Sequence, residues 1–379
     1  MSGASRLSIL HTCCEGHPSG QTRVILDLAR GQASAGHRVS VACPAGSPLE
    51  QLVRAAGIDA APLAFAPPRA TGAVLARIAA ERHADLVNAH SSLDRKAVLW
   101  ARGRGGLTAA VVFTRHVRPL SFPPQVWWQS LQADRIIAVS GDVARRLIAR
   151  GAVREKIVVV PNGLPPGFLR EPPGEAAVAA ARERIARLPG APVVGFVARR
   201  KGQDIVLRAA RHIRRPLNVA FVGIAPDAEL ERLAAAVPQH AVAYVPFVQD
   251  PRPYYACLDI SLVAWRHEGF GLTILESFAS GIPFIGSREA AIPDLVEDGV
   301  DGLLVAHADE RAWARAIERL LDDGALAARL TEAARRKAAG FTVERTLERT
   351  EAVYRTAIAT RRHRPAMHAP RAPASLPPP

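Results

Sequence analysis

Short apolar runs of three to five residues alternate with longer amphipathic stretches along this chain, the pattern of β-α-β units built around a parallel sheet. Residues 7–10 predict the first strand. Behind it Val24, Leu28 and Ala35, with Ile25 beside them, fall near one face of a helix over 21–35, which Gly36-His37 ends. Further strands are expected over 39–42, 86–89, 110–114 and 135–139. Ser140 is positioned to cap a helix over 143–150. Residues 158–160 then read as a buried strand, broken by Pro161-Asn162-Gly163.

The same grammar restarts after a proline-punctuated stretch, 164–190, that reads as linker and lead-in helix. Strands are expected over 193–197, 218–222, 241–245, 260–263, 284–285 and 303–305, and helices over 203–213, 272–279, 312–321 and 325–339. A doubly wound pattern that begins twice implies two similar domains with a cleft between them, and ligands in such sheets sit at the carboxyl ends of the strands. The boundaries fall at 1–164 and 165–342, with a helix over 343–360 returning to the first domain. Residues 361–379 hold four Arg, six Pro and no acid, a composition expected to stay disordered.

Composition narrows the class. The 379 residues are 49% hydrophobic and 22% charged, ordinary for a soluble globular protein. No apolar run approaches the ~20 residues of a membrane helix, and the amino terminus lacks signal-peptide architecture, so a cytoplasmic location is expected. The four cysteines show no CxxC or zinc spacing and read as free thiols. The formal net charge of +14 is uneven: residues 1–165 carry 20 Lys and Arg against 10 Asp and Glu, while 166–379 carry 29 against 25. A basic surface attracts nucleic acid, anionic lipid or an acidic substrate. Nucleic acid is disfavoured, because no RNA-binding aromatic signature or zinc-finger spacing is present.

The richest chemistry lies in Trp265-Arg266-His267-Glu268-Gly269-Phe270-Gly271-Leu272-Thr273-Ile274-Leu275-Glu276, followed by Ser280-Gly281-Ile282-Pro283. A strand ends at an acid, two glycines allow a tight turn, and a helix opens with unpaired N–H groups suited to an anion. Glu276, one to two turns into that helix, can accept hydrogen bonds from a vicinal diol, and Glu268 can do so from a sugar ring. Arg199, Arg200 and Lys201 follow the 193–197 strand, where two cations suit a diphosphate. His90 and His116 each end an apolar run at the cleft side of the first domain.

These motifs make the chain resemble the retaining GT-B glycosyltransferases of family 4 over about residues 7–358. The resemblance implies an α/β fold of two Rossmann-like domains, the first on the acceptor side and the second holding a nucleotide-sugar. It implies catalytic His116 and Glu268. It also implies donor contacts by Gly20, Arg199 (or Arg200), Lys201, Val248, Gly269, Phe270, Gly271, Leu272, Thr273 and Glu276, with Ser19 and His90 nearer the acceptor. Ser19 stands where the family has the first glycine of a pair, and Pro246 replaces a usual glycine.

No metal-binding Asp-x-Asp occurs, so a metal-free, cofactor-free transfer is expected from a UDP- or GDP-sugar. The expected acceptor is a glycan or lipid-linked molecule of lipopolysaccharide or exopolysaccharide synthesis, with peripheral contact to anionic membrane. Stretches 67–72 and 117–128 read as acceptor loops, and Pro123–Trp128 reads equally as membrane or acceptor contact or as core. The alternatives are a GT-B-like sugar-nucleotide epimerase and a non-catalytic carbohydrate- or nucleic-acid-binding protein.

Overall fold

The computed structural model describes residues 5–117 and 122–363. It contains two parallel sheets. The first holds β1 (Ser8–Thr12), β2 (Arg38–Pro44), β3 (Asp59–Leu63), β4 (Leu86–Ala89), β5 (Ala110–Arg115), β6 (Arg135–Ala138) and β7 (Ile157–Val159). The second holds β8 (Val193–Val197), β9 (Asn218–Val222), β10 (Ala241–Val245), β11 (Ile260–Val263), β12 (Phe284–Ser287) and β13 (Leu303–Val305). Their orders are β3-β2-β1-β4-β5-β6-β7 and β10-β9-β8-β11-β12-β13. Both are doubly wound, Rossmann-like halves, and in each the winding direction reverses beside the first strand.

Several expectations change. β3 was not expected: Asp59-Ala60-Ala61-Pro62-Leu63 is weak in strand formers, and Pro62 is tolerated because β3 is an edge strand. The strand expected to be buried at 158–160 is β7, the opposite edge, where Val158 and Val159 are 37% and 40% exposed. An apolar run reads the same at an edge as in the middle of a sheet. Stretch 67–72 opens the helix Pro68–Glu81 instead of a loop, started by proline at its first turn. Of 117–128, residues 118–121 lie outside the described residues, and Pro123–Gln132 is a helix. On that helix Val126 is buried, whereas Trp127 and Trp128 are about half exposed. In the tail, Arg361 and Arg362 continue the closing helix, and 364–379 lie outside the described residues.

The halves share a core. One apolar cluster takes Leu10, Val87, Phe113 and Val143 from the first half with Phe270, Ile274, Phe278 and Leu295 from the second. The chain crosses between halves twice, and the crossings lie side by side. Leu164 N–H donates to the Phe341 carbonyl at 2.9 Å, and Val343 N–H donates to the Leu164 carbonyl at 3.1 Å. Asp294 of the second half caps the helix Gly141–Ala149 of the first, accepting from the Asp142 N–H (2.5 Å) and from Arg145 (2.7 Å).

The closing helix, Val343–Arg362, packs on β5 and β6 of the first sheet. It buries Val353, Tyr354 and Ala357 against Leu7, Ile9 and Val112. Within that apolar layer the Asn88 amide donates to the Tyr354 hydroxyl at 2.6 Å. Tyr354→Phe leaves this buried donor without its partner, a loss of about 1–3 kcal/mol. Urea unfolding should show a lower midpoint with an unchanged slope.

Candidate active site

Each sheet opens a crevice where its winding reverses, between β1 and β4 in the first half and between β8 and β11 in the second. The chain leaving β1 runs to Ser19, which caps the helix Gly20–Ser34: its hydroxyl accepts from the Thr22 N–H at 3.1 Å, and Thr22 answers at Ser19 N–H, 2.8 Å. The chain leaving β11 runs to Gly271, which caps the helix Leu272–Ser280 with φ +104°. These two helix starts face each other. A Cβ placed on Gly20 would sit 3.6 Å from a Leu272 methyl. A helix start from each half therefore lies beside the other, and a helix start favours an anion. The Thr273 hydroxyl, in the first turn of the second helix, is buried with no partner among the described residues.

The two acids frame this space. Glu268 lies five residues beyond the end of β11, in the loop and not at the strand terminus expected for it, and pairs with Lys201 at 2.5 Å. Glu276 is buried; it pairs with Arg23 of the first half and accepts from the Tyr255 hydroxyl at 2.9 Å. Arg23 and Tyr255 had no signal in the sequence, because nothing in their spacing points at Glu276. Arg200 is drawn away into an acidic cluster with Asp227 and Glu229. Arg199 has no ion pair among the described residues, which leaves it as the arginine available beside Lys201. Val248 is half-buried past the end of β10, while Phe270 is buried in the shared core, so its side chain faces away from the space.

Gly269 brings the halves into contact. A Cβ there would lie 1.9 Å from the His116 carbonyl oxygen, so only glycine fits. Ser140 secures the same loop by donating to the Gly269 carbonyl at 2.7 Å.

The histidines are arranged differently from expectation. His90 is not free at the rim; it is the middle of a chain. Gln32 Oε1 lies 2.8 Å from His11 Nε2, His11 Nδ1 lies 2.9 Å from His90 Nε2, and His90 Nδ1 lies 2.9 Å from His116 Nε2. Successive rings stack at 5.2 Å. Burial pushes His11 down to about 4 and His90 well below its ordinary range, and burial with nearby Arg95 pushes His116 down to about 3. Three neutral rings in series have one consistent pattern with the Gln32 carbonyl as terminal acceptor: each carries its proton on Nε2. His116, the half-buried end of the chain, then offers Nδ1 as an acceptor.

The pH dependence follows. The unfolded chain protonates these histidines near 6.5, while the folded chain resists until about 4 or below. Stability is therefore full above pH 6.5 and is lost progressively as pH falls towards 4. Asp94, pushed up to about 6 from 3.8 by burial, acts in the opposite sense between those values, and Asp27, also raised by burial, acts in that same opposite sense. Urea midpoints should fall across this window, and His11→Asn with His90→Asn should flatten the fall. A midpoint constant down to pH 4 would mean the rings are charged in the folded state.

Comparison with known proteins finds a family match in each half of the chain. Residues 18–168 match the family Glycosyltransferase Family 4, and residues 191–323 match Glycosyl transferases group 1. A D-inositol 3-phosphate glycosyltransferase of Corynebacterium diphtheriae is 39% identical over 111 residues, 28% of this chain and 26% of the relative. The lipopolysaccharide core biosynthesis glycosyltransferase LpsE of Rhizobium meliloti is 36% identical over 91 residues, 24% of this chain and 27% of the relative. The matches thus span about a quarter of each relative's length. The Anabaena protein Alr3699/HepE, crystallised with UDP-glucose, shares the fold with a TM-score of 0.81 at 19% identity, over 93% of this chain and all of that one. With a family match in each half and the two-sheet architecture of the GT-B structures, the chain belongs to the family 4 glycosyltransferases.

Proposed function

We propose that this protein transfers a sugar from a UDP- or GDP-sugar to a lipid-linked or polysaccharide acceptor of the cell envelope, with retention at the anomeric carbon and without a metal. The observation that carries the reading is the pair of helix starts at Gly20 and Leu272, converging beside Lys201, Glu268 and Glu276. The Anabaena structure with UDP-glucose and the relationship to LpsE support the donor and the envelope setting.

In transfer the anomeric C–O bond breaks and negative charge builds on the leaving diphosphate. Fixed dipoles and cations stabilise that charge without reorganising. Here these are the two helix starts, Arg199 and Lys201. The absence of Asp-x-Asp suits this metal-free arrangement. Retention follows if the leaving phosphate oxygen takes the acceptor's proton on the face it departs from, so no side-chain base is required. His116 and Glu268 orient the sugar, His116 by accepting from a sugar hydroxyl at Nδ1. The nucleotide ribose takes the place of Arg23 at Glu276. Arg23, one turn from Gly20, is then free to turn towards the diphosphate.

Cytoplasmic placement at the inner membrane face belongs to the same reading. No described helix is long and apolar enough to cross a membrane. Phe122, Trp127 and Trp128 are 73%, 52% and 48% exposed at the helix Pro123–Gln132, on the more basic half. Retention on phosphatidylglycerol vesicles should fall steeply with added salt. Retention that ignores salt counts against the membrane contact.

UDP or GDP should raise the melting temperature without added metal. Glu276→Ala should weaken that binding by about tenfold to a hundredfold, the value of one or two hydrogen bonds to a charged group. Unchanged affinity in this variant removes the ribose assignment. A folded protein stabilised by no nucleoside diphosphate removes the donor reading altogether.

A further inference from the structure

Buried arginines in folded proteins are normally paired, because an uncompensated charge out of water is costly. The helix Ser92–Arg104 shows the ordinary case. Arg102 is buried against Asp134 and donates to both its carboxylate oxygens, at 2.9 and 2.8 Å. One turn from the start of the same helix, Arg95 departs from it. Arg95 is 6% exposed, and its Nε is buried with no partner among the described residues. Arg115, the last residue of β5, is likewise 6% exposed and makes no ion pair among the described residues.

The two guanidiniums are close enough to repel. Burial pushes Arg115 down to about 9, Arg95 adds to that effect, and no acid offsets it. Burial pushes Arg95 down to about 10 against the pull of Asp94. Asp94 is the acid that acts on Arg95, yet its oxygens are spent on backbone, accepting from the Cys14 and Ser91 N–H groups at 2.8 Å each. The charged and titratable groups around the pair are thus Asp94, Cys14, His90 and His116, and the balance stays positive. Strand alternation places Arg115 on the opposite face from Thr114, which bonds Asn88 beneath the closing helix. Arg115 therefore shares the face of the Ser92–Arg104 helix, next to the His116 end of the histidine chain.

We propose that Arg95 and Arg115 form a phosphate-binding subsite of the first half that holds the acceptor, distinct from the diphosphate site between the helix starts. Two planar forks suit the several oxygens of a tetrahedral phosphate better than the two of a carboxylate. The site rests on the transferase reading for its role, but the binding does not. The acceptor is then a phosphomonoester whose hydroxyl is presented at His116. Bound phosphate relieves the cost of burying two unpaired cations.

The test is inorganic phosphate added to the full chain with saturating UDP, so that the diphosphate site is occupied. Phosphate should raise the wild-type melting temperature. Arg115→Met and Arg95→Met should weaken phosphate binding by about tenfold or more and leave UDP affinity within about twofold. Without phosphate, each variant should melt no lower than wild type, because a repelling charge is gone; a purely structural arginine would melt lower. Equal phosphate binding in wild type and variants overturns the proposal. Loss of UDP affinity in the variants also overturns it and moves the arginines to the donor site. A wild type that ignores UDP but answers phosphate only through these arginines keeps the subsite while the donor reading fails. Phosphatidic acid vesicles identify the source. Their loss in both variants puts the phosphate on a lipid, and unchanged retention beside lost phosphate binding puts it on a soluble acceptor.

Discussion

Gly269 has no side chain, and on that the meeting of the two halves depends. Its backbone lies against the His116 carbonyl, where a methyl group would overlap the oxygen. This contact joins the acid-bearing loop after β11 to the end of the histidine chain after β5. Ser140 at one side and Asp294 at the other hold it in register.

Charge in the site is handled in three ways, each with a physical reason. Lys201 with Glu268 inside the second half, and Arg23 with Glu276 between the halves, neutralise each other. Such pairs keep buried charges affordable and leave both partners available to a ligand. The histidines avoid charge altogether: burial holds them neutral, and the Gln32 carbonyl fixes where each proton sits. Arg95 and Arg115 are neither paired nor neutral, and this imbalance sets them apart from every other buried ion in the site.

The architecture explains why these groups gather from distant parts of the chain. A doubly wound sheet leaves a crevice only where winding reverses. β1 with β4, and β8 with β11, therefore bring residues 11–23 near 88–95, and residues 199–203 near 264–276. The closing helix then locks the first sheet from behind through Tyr354 and Asn88.

The sequence by itself determined the elements and the kind of chemistry. Apolar runs bounded by Gly, Pro and capping residues located β4, β8, β9, β10, β11 and β13 at their observed bounds, because local periodicity and turn chemistry act within a few residues. The Glu268–Glu276 segment, with its glycines, carried the resemblance to the family. Only the tertiary structure decided which groups meet. Arg23 with Glu276, and His11 and Gln32 behind His90, are contacts between residues tens to hundreds of positions apart. Edge or centre for β7 likewise depends on neighbours brought in by topology. Burial, charge balance and tautomer are properties of such neighbourhoods, and a linear pattern carries no record of them.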